Sequence, residues 1–279
     1  MGRRRWPERG KWAEVILPKA AEIVNTSSAA MTLRQLFYRL VSESLLVNTV
    51  NMYRELGRYT AEGRRLGLFP PLVDPTRAVE RPPWWESPRA SLDDLAEQYR
   101  RDRTEGQETQ VWVILEKATL TTLASTVCEP LGIPVAPLRG YTSEPFVREI
   151  ISELLTDERP AVGLYIGDHD PSGEDIDASF LRDTRLWKAW ERVAVTADQV
   201  VSLGLPPQMG KAADPRAARF VELHGQLIQV EAEAVPPDTL TGLLEDAIAA
   251  WWDEHAASNV LRQEEHERGR LAAFAEEWD

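Results

Sequence analysis

The chain has 279 residues, 43% hydrophobic and 28% charged, the proportions of an ordinary globular protein long enough for one large domain or two. No apolar run approaches a membrane span, and no apolar core follows the opening Met-Gly-Arg-Arg-Arg-Trp, so neither a membrane anchor nor a signal peptide is expected and a cytoplasmic location is. A single cysteine, Cys128, excludes an intrachain disulfide or thiolate metal cluster, and the net charge of −13 argues at first against a nucleic-acid partner.

The distribution of that charge says something different. Residues 1–103 carry 18 Lys+Arg against 13 Asp+Glu, whereas the rest carries 14 against 32. A basic N-terminal module suits a phosphate backbone. Segregated but merely solvated surface charge is the competing account.

Apolar positions at helical spacing (Trp12, Val15, Ile16, Ala20, Ile23, Val24) predict a first helix over 11–26. Thr32 then caps a helix from Leu33 to about Ser44, striped by Leu33, Leu36, Phe37, Leu40 and Val41. A third helix, about Val50–Leu66, carries Arg54, Arg58, Arg64 and Arg65, and Leu72-Val-Asp is expected in a short strand or wing. Three helices and an extended tail suggest a helix-turn-helix or winged-helix-like module over 1–80, with the arginine-rich helix facing DNA. A helical bundle with a solvated basic face is the alternative.

The Pro- and Trp-rich run Arg81-Pro-Pro-Trp-Trp-Glu-Ser-Pro and a helix over about Leu92–Arg103 predict a linker or arm at 81–105. From 106 to 279 the pattern changes. Strands at Val111–Leu115, Ile133–Ala136, Val162–Ile166 and Arg192–Val195 alternate with helices at Thr119–Cys128, Ser143–Leu155 and Gly173–Arg182. That alternation predicts an α/β domain with a parallel sheet, followed from about Leu240 by a helical, acidic C-terminus.

Two of those strands end on carboxylates. Glu116 follows Val111–Leu115, and Asp168-His169-Asp170-Pro171-Ser172-Gly173 follows Val162–Ile166. Parallel strands share one carboxyl edge, so Glu116, Asp168 and Asp170 can converge there. Carboxylates without cysteine favour Mg²⁺ or Mn²⁺ over Zn²⁺, and one of the three is also available, metal-free, as a general acid. Alternation turns His169 to the opposite side, where it is read as a bystander.

These residues carry a resemblance. A strand-end Glu followed by Asp-x-Asp-x-x-Gly on another strand looks like a Toprim domain, and Asp168-x-Asp170-Pro171-x-Gly173 is similar to the form in the topoisomerase VI A subunit, whose family includes the meiotic double-strand-break protein. Leu115-Glu116-Lys117 resembles its Val-Glu-Lys strand end, and Arg139-Gly140-Tyr141-Thr142 its Lys-Gly-Tyr-Pro loop. Thr32-Leu-Arg34-Gln-Leu-Phe37-Tyr38 resembles the Arg-x-x-Tyr-Tyr motif of its winged-helix domain, with Phe37 in place of the first tyrosine. The similarity runs from about Thr32 to Gly173 and is nearest to small, stand-alone A-like proteins.

The resemblance implies that Tyr38 attacks a DNA phosphodiester and becomes linked to the 5′ phosphate, with Arg34 and Glu116 as its catalytic companions. It also implies a homodimer with composite sites, double-stranded DNA as substrate, nucleoid association and an ATPase subunit in trans. Lys117, Arg139 and Lys211 join the arginine-rich helix as expected DNA contacts, with Asp214 and Arg216 near Lys211. Glu231 is weighed as an outer acidic ligand but read as a solvated strand-edge residue. Water in place of Tyr38 would make a Toprim nuclease, and loss of both activities a DNA-binding subunit.

Overall fold

Two strongly apolar strands form the centre of a parallel sheet whose two faces are covered by helices. A computed structural model describes residues 7, 10–27, 30–73, 82–210 and 213–277. Strands β1 (Gln110–Leu115) and β3 (Ala161–Ile166) pair in parallel along their whole length and are buried at every position. A parallel strand covered on both faces needs an almost unbroken apolar run, which both sequences supply. β2 (Val135–Pro137) flanks β1, and β4 (Trp187–Ala194) flanks β3, giving the all-parallel order β2-β1-β3-β4.

The chain enters this sheet through helices. A turn of π-helix over Trp12–Ile16 runs into α1 (Leu17–Thr26), followed by α2 (Leu33–Ser42), α3 (Val50–Arg65) and α4 (Pro88–Gln98). Thr32 caps α2 in a reciprocal box, accepting from Gln35 N while its own amide donates to the Gln35 side chain. Thr49 and Ser87 cap α3 and α4 from one side only, accepting from Met52 N and Ala90 N. α5 (Thr121–Cys128), α6 (Glu144–Thr156) and α7 (Pro171–Thr184) make the crossovers between strands. After β4 come α8 (Ala197–Ser202), the antiparallel pair β5 (Gln208–Met209) and β6 (Ile228–Gln229) with α9 (Ala217–His224) between them, then α10 (Pro237–Ala249) and the long α11 (Glu254–Glu276).

Alternation along the central strands separates two apolar clusters. Val111, Val113, Leu115, Val162, Leu164 and Ile166 join the N-terminal helices, α5 and α10 in one continuous core. Trp112, Ile114, Ala161 and Tyr165 face α6 and α7 with Trp187 and Trp190. The N-terminal helices therefore bury their apolar stripes, including Leu36, Phe37 and Leu40, in the core of the sheet domain.

Several boundaries differ from the sequence reading. The helix expected over Leu92–Arg103 runs from Pro88 to Gln98, because Ser87 caps it and Pro88 occupies the first turn where no amide bond is lost. The fourth strand begins at Trp187 instead of Arg192, since Trp187 and Trp190 point to the cluster against α6 and α7. α8, α9 and the β5–β6 pair lie where no element was predicted. Of the expected wing, Val73 makes a single bridge to Thr32, and 74–81 lie outside the described residues. Trp84 and Trp85 are exposed, and Trp85 Nε1 donates to Asp94 at 2.9 Å. No helix among the described residues is long and apolar enough to cross a membrane.

Candidate active site

Going outward from β1, the chain reaches β2 on one side and β3 on the other, so the strand order reverses between β1 and β3. In an open α/β sheet the crevice at such a reversal, at the carboxyl ends, is where ligands bind. Glu116 and Asp168 stand at that point. Glu116 N donates to Ile166 O (2.9 Å), and Asp168 N donates to Glu116 Oε2 (2.8 Å), which locks one strand end to the other.

Asp170 has a second task. It is the N-cap of α7, its Oδ1 accepting from Gly173 N at 2.7 Å, with Pro171 in the first turn. Gly173 lies so close behind the strand ends that a Cβ there would stand 2.4 Å from Asp168 O and 3.0 Å from Glu116 Oε2. Close approach, not a special backbone angle, explains the glycine of this motif. Glu116 is buried, and burial together with the Asp168 charge raises its pKa to about 7; Asp170 adds to the effect.

Lys117 extends the site in another direction. Its Nζ lies 2.7 Å from Asp168 Oδ2, 2.9 Å from Glu231 Oε2 and 3.3 Å from Glu233 Oε2. Asp168 Oδ1 accepts from Ala232 N (2.9 Å), so the turn Glu231–Glu233 is tied to the Asp168 loop by backbone and side chain alike. Burial opposes the charge on Lys117, but the three carboxylates outweigh it and hold its pKa above the ordinary lysine range.

Arg34, on α2, reaches the same turn. Its Nη2 and Nε lie 2.7 Å from the two oxygens of Glu231, a forked pair, and Nε is 3.4 Å from Glu233. Tyr38 stands one helical turn beyond Arg34 and is buried, with only 3% of its surface exposed. Its hydroxyl lies within electrostatic reach of Glu231 and Arg34, and Gln208 Nε2 lies 3.5 Å away. Burial and the Glu231 charge push the phenol above the ordinary tyrosine range, while Arg34 pulls it back. Arg34, Glu231, Lys117, Asp168 and Glu116 thus form one polar network, with the Tyr38 hydroxyl beside its Arg34–Glu231 end.

The remaining expected residues fall around it. Arg34, Glu116, Lys117, Thr119, Arg139 and Glu233 border a shallow pocket of about 400 Å³. Arg54 and Arg65 are exposed on α3, with Arg65 3.0 Å from Glu62; Arg58 and Arg64 are half-buried, Arg58 lying 4.4 Å over the Tyr59 ring. Lys117 is engaged by carboxylates, and Lys211 lies outside the described residues. Glu231 is not a solvated edge residue, since Arg34 and Lys117 both hold it. Glu233 was not singled out from the sequence; its place beside Glu231 in Val230-Glu-Ala-Glu was the available signal.

The donor set of Glu116, Asp168 and Asp170 has the oxygen chemistry a hard divalent cation requires, and crowding of its negative charge is visible in Glu116. Lys117 now supplies the compensating charge. No protein-family model and no curated protein matches the chain.

Proposed function

We propose that this protein is a Mg²⁺- or Mn²⁺-dependent, topoisomerase VI A-like protein that cleaves double-stranded DNA through Tyr38. The observation that carries the reading is the polar network running from Arg34 through Glu231 and Lys117 to Asp168 and Glu116 at the strand-order reversal, with Tyr38 within electrostatic reach of its Arg34–Glu231 end. The N-terminal helices are read as the winged-helix-like DNA-binding part and the sheet as a Toprim-type domain. A homodimer, with an ATPase subunit acting in trans, completes the proposal.

In this reading Glu116, Asp168 and Asp170 hold the cation, which supplies positive charge for the phosphate oxygens. Arg34 stabilises the phenolate of Tyr38 and the charge on the phosphate. The tyrosine oxygen bonds to phosphorus as the bond to the 3′ oxygen breaks. The phenol gives up its proton and the 3′ oxygen takes one, so the exchange is neutral overall.

Supercoiled plasmid incubated with protein and Mg²⁺ or Mn²⁺, then denatured, is expected to show a covalent protein–DNA adduct that Tyr38→Phe abolishes. Adduct-free cleavage, equal in the wild type and the variant, would overturn the tyrosine mechanism. The burial of Tyr38 favours a second reading, in which water attacks and the protein is a hydrolytic nuclease. Cleavage then survives Tyr38→Phe and is lost in Asp168→Ala.

A further inference from the structure

His169 lies between the two aspartates of the Asp-x-Asp motif, yet it faces a different set of residues. Its backbone is pinned to Val230, donating to Val230 O at 2.9 Å and accepting from Val230 N at 3.0 Å. Its buried ring packs 4.7 Å from the His224 ring and 5.0 Å from Phe220, and Phe220 also lies 4.5 Å from His224. His224 closes α9, where Gly225 turns the chain at φ +76°. Glu174, in the first turn of α7, hydrogen-bonds His224 Nε2 through Oε1.

One potential ligand atom from each of His169, Glu174 and His224 lies within 4.8 Å of the others. Among the described residues this is the group of three that gathers in this way. Two imidazoles and a carboxylate are a borderline donor set that suits Zn²⁺ and similar transition ions better than Mg²⁺. Tetrahedral zinc with bonds of about 2.0–2.1 Å places its ligand atoms roughly 3.3 Å apart, inside the 4.8 Å within which these three atoms lie. The side chains of His224 and Glu174 are 21% and 28% exposed, so an ion can enter from solvent. Glu174 also borders a cleft of about 240 Å³ with Arg216, Arg219 and Phe220.

We infer that His169, Glu174 and His224 form a transition-metal site, with Zn²⁺ as its ion, separate from the carboxylate cluster of the active site. The ion fastens α9 to the first turn of α7 and to the loop that carries Asp168 and Asp170. Its fourth position is open to water. This site is independent of the cleavage chemistry: DNA cleavage can fail with zinc binding intact, and the reverse.

The test uses the full chain, stripped with chelator and titrated with Zn²⁺ or Co²⁺ alone. One zinc per chain after dialysis and a visible Co²⁺ spectrum with nitrogen ligation are expected. His224→Ala and Glu174→Gln weaken zinc by more than about 100-fold, beyond the loss an outer partner alone produces. Glu116→Gln, which alters the other cluster, leaves zinc unchanged. Hydrogen exchange over 217–225 slows with zinc in the wild type, a readout that needs no variant. No binding by the wild type, binding undiminished in His224→Ala and Glu174→Gln, or loss in Glu116→Gln instead, each overturns the assignment.

Discussion

The Lys117 ammonium stands 2.7 Å from Asp168 Oδ2, inside the cluster where a cation is proposed to bind. A cation held there would compete with the lysine for the same oxygen. Lys117→Met leaves Asp168, Glu231 and Glu233 without their shared partner, and breaking such a buried pair costs about 3–5 kcal/mol. Saturating Mg²⁺ is expected to restore more stability to Lys117→Met than it adds to the wild type. Urea unfolding with and without Mg²⁺ measures both, and equal increments would mean that the ammonium and the cation do not compete.

Glu116 makes stability depend on pH with a definite sign. Its pKa is about 7 in the folded protein against an ordinary 4.5. Between those values the folded state keeps a proton that the unfolded chain has released, so the contribution of Glu116 to stability falls as pH rises. Below 4.5 the effect vanishes, and above 7 the penalty is complete, on the order of 3 kcal/mol. Glu116→Gln removes it. The wild type minus Glu116→Gln difference, from urea midpoints across this range, is expected to decline with pH and then flatten.

Gly173→Ala should damage the site by pure volume. The added methyl meets the Asp168 carbonyl and Glu116, and overpacking of this kind costs about 1–3 kcal/mol. Because those two groups join the strand ends, any stabilisation by Mg²⁺ should be lost with it. Gly242→Ala is the matched control: it lies inside α10 and its methyl meets nothing within 4 Å. That change should stabilise by about 0.5–1 kcal/mol, as read by thermal unfolding.

A buried acid, Glu264, joins the C-terminal helix to the segment after α4. Glu264 accepts from Arg101 N at 3.0 Å and pairs with Arg103 Nη2 at 2.7 Å, and the Arg103 hydrogen bond keeps its pKa below the ordinary range. Glu264→Ala should cost about 3–5 kcal/mol and expose α11 to protease. A double-mutant cycle with Arg103→Ala should give a coupling of about 0.5–3 kcal/mol, because the second change relieves the charge stranded by the first.

Local signals were readable before any coordinates. Thr32 and its partner Gln35 announce α2, and the unbroken apolar runs announce β1 and β3. The carboxylates at both strand ends follow from parallel order alone. Asp170 and Pro171 announced a helix start two residues earlier than it was read, so the second role of Asp170 as a helix cap was missed. What sequence could not convey is long-range pairing. Arg34 and Glu231 are 197 residues apart, and no periodicity links them. His169 and His224 sit on a loop and a short helix with no pattern of their own.

The network is assembled from 34–38, 116–117, 168 and 231–233, spread across most of the chain. During synthesis Tyr38 leaves the ribosome long before Glu231 is made. A nascent chain therefore carries the tyrosine without the groups that surround it. Whatever chemistry this site performs therefore waits until residues 231–233 have been made and have folded back onto 34–38.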